Sequence, residues 1–239
     1  MIDHPTGQGD ADGIKPRKQG LSNPAFAIYI AVFVVVWSLR ATVFITIDES
    51  IYPEIWQSVY SISIKLIVWV VPVFITLKVL GLRPLKYLKF TTPVNTRGLV
   101  ITAIVTTVWF TVVILGESIM TGRSPRQLLF GKPIGLVATF LSFLSPIWEE
   151  ILFRGFFLNR LNETLSFWKS NVISAALFMM VHLPYWVSKR GFSGPVIKDL
   201  INVFLLGCLF GWVMKKTNSL WPAIGAHIAN NFLSGLIHS

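Results

Sequence analysis

Charged side chains are scarce in this chain of 239 residues. Asp, Glu, Lys and Arg make up 13% of it, about half the share usual in a soluble domain. A water-soluble fold with so few charges could not cover its own surface. Hydrophobic residues make up 53% of the chain and its mean hydropathy is +0.64. They lie in long blocks separated by short basic loops, which is typical of membrane-spanning helices.

Cysteine and acidic residues are also few. Cys208 is the only cysteine, so an intrachain disulfide and a metal site of two or four cysteines are excluded. The net charge is +10, and the Lys and Arg residues stand between the apolar blocks. No basic stretch is interleaved with stacking aromatics. The basic residues therefore indicate helix orientation and contact with anionic membrane lipids, and not a nucleic-acid partner.

The apolar blocks predict an all-α, polytopic bundle of transmembrane helices. Each is about 18 to 25 residues long, which suits a membrane span. The predicted spans are residues 24–47, 55–80, 98–116, 134–158, 170–187, 196–214 and 220–237. An eighth short span would move the C-terminus to the other side of the membrane. Pro72 predicts a tilt or break in the second span, and Pro146 predicts a kink in the fourth.

The segment before the first span is polar and lacks a periodic apolar pattern. Residues 1–23 are therefore predicted to be a disordered cytoplasmic tail, and residues 24–239 a single membrane-embedded domain. The tail is not a signal peptide, because the apolar stretch after it is too long for an h-region. With the tail in the cytoplasm, eleven Lys and Arg residues fall on the cytoplasmic side and six on the far side.

A few strongly polar residues interrupt the apolar blocks. A charged side chain at the centre of a membrane helix costs about 2.5–3.5 kcal/mol on insertion scales. The fourth, fifth and seventh spans carry most of these groups, which are Glu149, Glu150, Arg154, His182, His227 and Asn231. Arg40 lies late in the first span, where it could snorkel or pair with an acid. Their concentration on three helices predicts one functional site.

Spacing along the helices supports this prediction. His227 and Asn231 are four residues apart and share one helix face. Glu150 and Arg154 have the same spacing, which predicts an intrahelical ion pair. Glu149 lies about 100° around the helix from Glu150, so one acid can be held by the arginine while the other faces a cavity.

The residue types suit peptide hydrolysis. A buried carboxylate or a neutral histidine can accept a proton from water, and an amide with a second histidine can donate hydrogen bonds to an oxyanion. No Ser or Cys stands beside a base, which argues against an acyl-enzyme. Glu149, His182 and His227 could instead bind zinc with an open fourth position, although no H-E-x-x-H is present. A cofactor is therefore not required, and zinc is the alternative.

Three motifs in successive apolar helices resemble a known family. Residues 149–154 read E-E-x-x-x-R, residues 178–182 read F-x-x-x-H, and residues 227–231 read H-x-x-x-N. Their order resembles the CAAX protease and bacteriocin-processing (CPBP) family of intramembrane peptidases, also called the Abi family. The motifs lie between about 145 and 233, within a family core of about 134–237. The short chain and small loops are similar to the bacterial branch, which implies a bacterial plasma membrane.

The resemblance implies roles for the site residues. Glu149 and His182 would activate the attacking water, His227 and Asn231 would stabilise the oxyanion, and Glu150 with Arg154 would support the site. It also implies a peptide or lipidated protein as substrate. The alternatives are an ion- or proton-coupled transporter, which lacks the support of an inverted repeat, and a non-catalytic bacteriocin-immunity protein. The sequence leaves the oligomeric state and the substrate open.

Overall fold

Helices form the whole architecture of the described part of the chain. The computed structural model describes residues 23–130 and 135–238, and no strand occurs among them. The predicted all-α class is confirmed. The helices are α1 (Asn23–Thr42), α2 (Ile45–Ser50), α3 (Glu54–Lys65), π1 (Leu66–Val70), α4 (Val71–Val79), α5 (Pro84–Tyr87), α6 (Thr96–Thr121), α7 (Pro125–Phe130), α8 (Leu136–Glu150), π2 (Ile151–Leu158), α9 (Asn159–Leu161), α10 (Phe167–Met180), α11 (Leu183–Arg190), α12 (Gly194–Thr217) and α13 (Trp221–His238).

Five described helical stretches are long and apolar enough to cross a membrane. They are Pro24–Thr42, Ile55–Val79, Thr96–Thr121, Phe167–Arg190 and Gly194–Thr217. They correspond to the first, second, third, fifth and sixth predicted spans. The fourth and seventh correspond to α8 with π2 and to α13, which carry polar site residues. The total of seven or eight spans stays a prediction. Residues 1–22 of the predicted tail lie outside the described residues, and Asn23 begins α1.

Prolines lie close to three interruptions of the helices. Pro72 lacks an N–H for the carbonyl of Val68, and the wide π1 turn precedes it in the second span. Pro184 lies in the first turn of α11, so the fifth span breaks between Met180 and Leu183. Pro146 lies within α8, and the π2 segment begins five residues later at Ile151. Wide π turns of this kind are frequent at functional sites.

The core lies around π2. All eight residues of this segment are buried. Phe153 contacts the rings of Trp69 and Phe178 edge to face, with centroids 5.6 and 5.1 Å apart. Trp37 of α1 packs on Trp69 and donates from its indole N–H to the carbonyl of Val181 at 3.1 Å. These contacts attach α1 to the junction of α10 and α11, where one predicted site residue lies.

Helices α10 and α12 pack closely because small residues line their interface. A Cβ added at Gly207 would lie 2.9 Å from the Cβ of Ala175. Asn171 donates from its side-chain amide to the carbonyl of Cys208 at 2.8 Å. Small residues with an interhelical hydrogen bond are typical of helix packing in membranes. The close approach places the backbone of α12 beside the site.

Candidate active site

The four residues predicted to act on substrate line one cavity of about 500 Å³. Glu149 is at the end of α8, His182 precedes α11, and His227 with Asn231 lies on α13. Glu149 and His227 are almost fully buried. The cavity extends outward between α11 and α12 to Lys189 and Arg190, which are exposed. It is therefore deep and polar at one end and open at the other.

Glu150 and Arg154 lie behind this cavity as the predicted ion pair. The Nη1 atom of Arg154 is 3.0 Å from Oε1 of Glu150, and both side chains are buried. Nη2 of Arg154 donates to the carbonyl of Gly207 at 3.1 Å. The guanidinium also lies 4.4 Å from the ring centroid of Phe178, close enough for a cation–π contact. These contacts fix Arg154 against two neighbouring helices.

Glu150 in turn orients His227. Nδ1 of His227 is 2.8 Å from Oε1 of Glu150, and the imidazole stacks on Phe210 with centroids 4.7 Å apart. Because Glu150 is held by a guanidinium, its carboxylate is the acceptor and Nδ1 carries the proton. Nε2 of His227 then faces Glu149, 3.6 Å from its Oε2. With Nδ1 protonated, Nε2 can donate a hydrogen bond only in the imidazolium form.

His182 is oriented by its own helix. Its Nδ1 lies 2.8 Å from the carbonyl oxygen of Phe178, which can only accept, so Nδ1 carries the proton. In the neutral ring Nε2 is then the nitrogen with a free lone pair. The imidazole also packs against Phe178 and Trp186. The break in the fifth span therefore presents a histidine whose neutral form has a defined tautomer.

Asn231 lies one helical turn beyond His227 on the same cavity wall. Its neighbour Asn230 also lines the cavity and donates to Oδ1 of Asn231 at 3.4 Å. With its oxygen engaged as an acceptor, the amide of Asn231 keeps its NH₂ group as a donor. Hydrogen-bond donors of this kind suit a developing negative charge on a carbonyl oxygen.

Lys65 is a site residue that the motifs did not reveal. Its Nζ is 2.5 Å from Oε1 of Glu149 and 2.5 Å from Oγ of Ser145. The signal was nevertheless present, since Lys65 is a charged residue well inside an apolar span. Arg40, which the sequence analysis named in the first span, donates to Ser61 at 3.1 Å and lies over the ring of Trp37.

The proposed zinc ligands do not fit a metal in this arrangement of side chains. Among the residues that the structure describes, no three His, Cys, Asp or Glu side chains form a metal-binding group. One oxygen of Glu149 is bound to the Lys65 ammonium, with which a cation would have to compete. That the reaction needs no metal stays a prediction.

The fold and the site together define a class: a helical membrane protein with a buried Glu/His cavity. Residues 131–233 match the family model Rce1-like, type II CAAX prenyl endopeptidase. This confirms the resemblance to the CPBP family over the segment that contains all three motifs.

One curated relative also matches the chain. YdiL of Bacillus subtilis, whose name assigns it provisionally to the membrane peptidases, is 28% identical over 100 residues. The match covers 42% of this chain and 36% of YdiL, so it spans little more than a third of the relative. No solved structure matches the chain.

Proposed function

We propose that this chain is an intramembrane endopeptidase that hydrolyses a peptide bond with water activated by Glu149 and His182. The observation that carries the proposal is the convergence of Glu149, His182, His227 and Asn231 on one cavity. The family match and the YdiL match are consistent with a peptidase. The proposed substrate is a membrane-associated or lipidated peptide or protein, whose chain enters where the cavity opens between α11 and α12.

The proposed reaction begins with a water held between Glu149 and the free Nε2 of His182. Glu149 takes one proton from this water as the oxygen attacks the carbonyl carbon, which forms a tetrahedral oxyanion. Asn231, with His227 as an imidazolium, donates hydrogen bonds to that oxyanion. The C–N bond then breaks, and the proton held by Glu149 passes to the leaving amine. The products are a carboxylic acid and an amine, and the acid then loses its remaining proton to Nε2 of His182.

Single substitutions test this function. Glu149→Gln keeps the shape of the side chain and removes the base, and His182→Ala removes the second proton acceptor. We expect each to lower kcat by at least about 100-fold, since general-base catalysis contributes about 10²–10⁴-fold. The measurement is cleavage of a peptide library and of a membrane-anchored reporter by purified protein in liposomes, read by mass spectrometry.

A matched acid substitution is the control for this test. Glu117 of α6 pairs with Lys198 at 2.6 Å and does not line the cavity, so Glu117→Gln should keep the parent's rate. Equal activity of the Glu149→Gln and Glu117→Gln variants would contradict the proposal. Ion flux through the liposomes without cleavage would favour the transporter, and neither activity would favour the immunity protein.

Chelation tests the metal-free form of the mechanism. We expect cleavage to persist in excess EDTA or 1,10-phenanthroline, because Lys65 already neutralises the Glu149 carboxylate. The assay compares initial rates before and after dialysis against chelator. Loss of activity that returns on addition of zinc would assign Glu149 to metal binding and contradict direct water activation.

A further inference from the structure

Lys65 contacts the proposed base from a part of the chain that the family match does not cover. It ends α3, whereas the matched segment is residues 131–233. We propose that Lys65 is a positioning residue of the active site, which holds one oxygen of Glu149 so that the other points at the attacking water. The proposal rests on the peptidase function proposed above.

The contacts of Lys65 define one orientation for the Glu149 carboxylate. Oε1 of Glu149 receives Nζ of Lys65 at 2.5 Å and Oγ of Ser145 at 2.7 Å. These two donors come from different helices, and Lys65 also donates to Ser145. Oε2 is left on the side of His227, 3.6 Å from its Nε2. A carboxylate fixed through one oxygen presents the other to the cavity in a constant direction.

Lys65 is itself held in place by the aromatic core. Its ammonium lies 4.9 Å from the ring centroid of Trp69, one turn along the helix. Trp69 is 1% exposed and packs between Phe33, Trp37 and Phe153. The lysine side chain is 17% exposed and reaches the cavity from this support. The ring of Trp69 therefore limits the positions that the ammonium can adopt beside Glu149.

Charge balance gives Lys65 a second effect on the same reaction. Lys65 and Arg154 oppose Glu149 and Glu150, so the charges of these four side chains sum to zero. When Glu149 takes the proton of water, the Lys65 charge loses its partner just as negative charge develops on the oxyanion. A fixed cation at that moment stabilises the transition state more than the ground state.

Lys65→Met and Lys65→Arg test the proposal, with Lys78→Met as the control. Lys78 belongs to the same span but is exposed near its end. We expect Lys65→Met to lower kcat by about 10- to 100-fold, as a misplaced catalytic group does, while KM stays within about twofold. The acidic limb of its kcat profile should move to higher pH. Lys65→Arg should restore part of kcat, and Lys78→Met should match the parent.

A folding defect is separated from a positioning defect by a thermal unfolding cycle in detergent. We expect Lys65→Met and Glu149→Gln each to lower Tm, and the double variant to lose less than the sum, because its ion pair is removed as a whole. Additive losses of Tm would overturn the proposed contact. A parent that cleaves while Lys65→Met keeps its kcat and pH profile would overturn the role of Lys65 alone. A parent that cleaves no substrate would overturn the peptidase function and this role with it.

Discussion

Arg154 contacts three parts of the candidate site at once. It pairs with Glu150 on its own helical segment, donates to the backbone of Gly207 on α12, and lies against Phe178 on α10. Through Glu150 it also acts on His227. A buried ion is tolerated only when its hydrogen bonds and its counter-charge are both supplied. The position of His227 therefore depends on Glu150, and the position of Glu150 depends on Arg154.

Removing Arg154 should destabilise the protein strongly. Arg154→Met leaves Glu150 as a buried carboxylate without its cation, and breaking a buried pair in this way costs about 3–5 kcal/mol. We expect a lower free energy of unfolding in detergent, measured by chemical denaturation followed by tryptophan fluorescence. Combining Arg154→Met with Glu150→Gln should recover part of the loss, since no unpaired charge then remains.

The control for this prediction is an ion pair near the cavity mouth. Arg190 pairs with Asp199 at 2.8 Å, and its side chain is 42% exposed. Exposed pairs contribute about 0–1 kcal/mol, so Arg190→Met should change the free energy of unfolding little. Similar losses from Arg154→Met and Arg190→Met would show that Arg154 is not buried as described.

At the level of helices, the packing of α10 against α12 determines where the site backbone lies. Gly207 allows the two helices to approach, and its carbonyl accepts from Arg154. An added methyl group would meet Ala175 at 2.9 Å from its Cβ and 3.0 Å from its Cα. The backbone cannot move aside as the end of a long side chain can, so the helices would have to separate.

Gly207→Ala should therefore be destabilising, although alanine is the better helix former. Overpacking of a tight interface costs about 1–3 kcal/mol, and the shift of α12 should also lower the proposed peptidase activity. Thermal unfolding and cleavage rates measure both effects. Gly116→Ala on α6 is the matched control, because a Cβ there meets nothing within 4 Å. A Tm for Gly207→Ala at or above that of Gly116→Ala would contradict this packing.

For the whole molecule, the position of the open end of the cavity sets the side of the membrane from which the proposed substrate would enter. This end lies at Lys189 and Arg190, in the connection from α11 to α12. The distribution of Lys and Arg predicts that this connection is on the far side of the membrane from the N-terminal tail. The predicted topology therefore implies a substrate that enters from outside the cytoplasm.

Cysteine labelling tests this orientation. In a Cys208→Ser background, Lys18→Cys and Lys189→Cys each supply one thiol. We expect a membrane-impermeant maleimide to label residue 189 but not residue 18 in intact cells, and both after permeabilisation. Labelling of residue 18 alone in intact cells would invert the topology and place the cavity mouth in the cytoplasm.

Much of the candidate site could be predicted from the cost of polar groups in apolar helices. Glu149, Glu150, Arg154, His182 and His227 stand out because each is expensive in lipid unless it is paired or functional. The spacing of Glu150 and Arg154 was enough to predict their ion pair. Lys65 meets the same criterion, yet it belongs to no motif, and sequence distance conceals its contact with Glu149.

The sequence by itself determined the helical class, most of the spans and the polar residues that gather at the site, because hydropathy and helical spacing are local properties. Only the tertiary structure decided which atoms meet. His227 and Glu150 are 77 positions apart, and Lys65 and Glu149 are 84 positions apart. The opening of the cavity lies between two separate helices, α11 and α12. Packing of large and small side chains sets these distances, and no single helix encodes them.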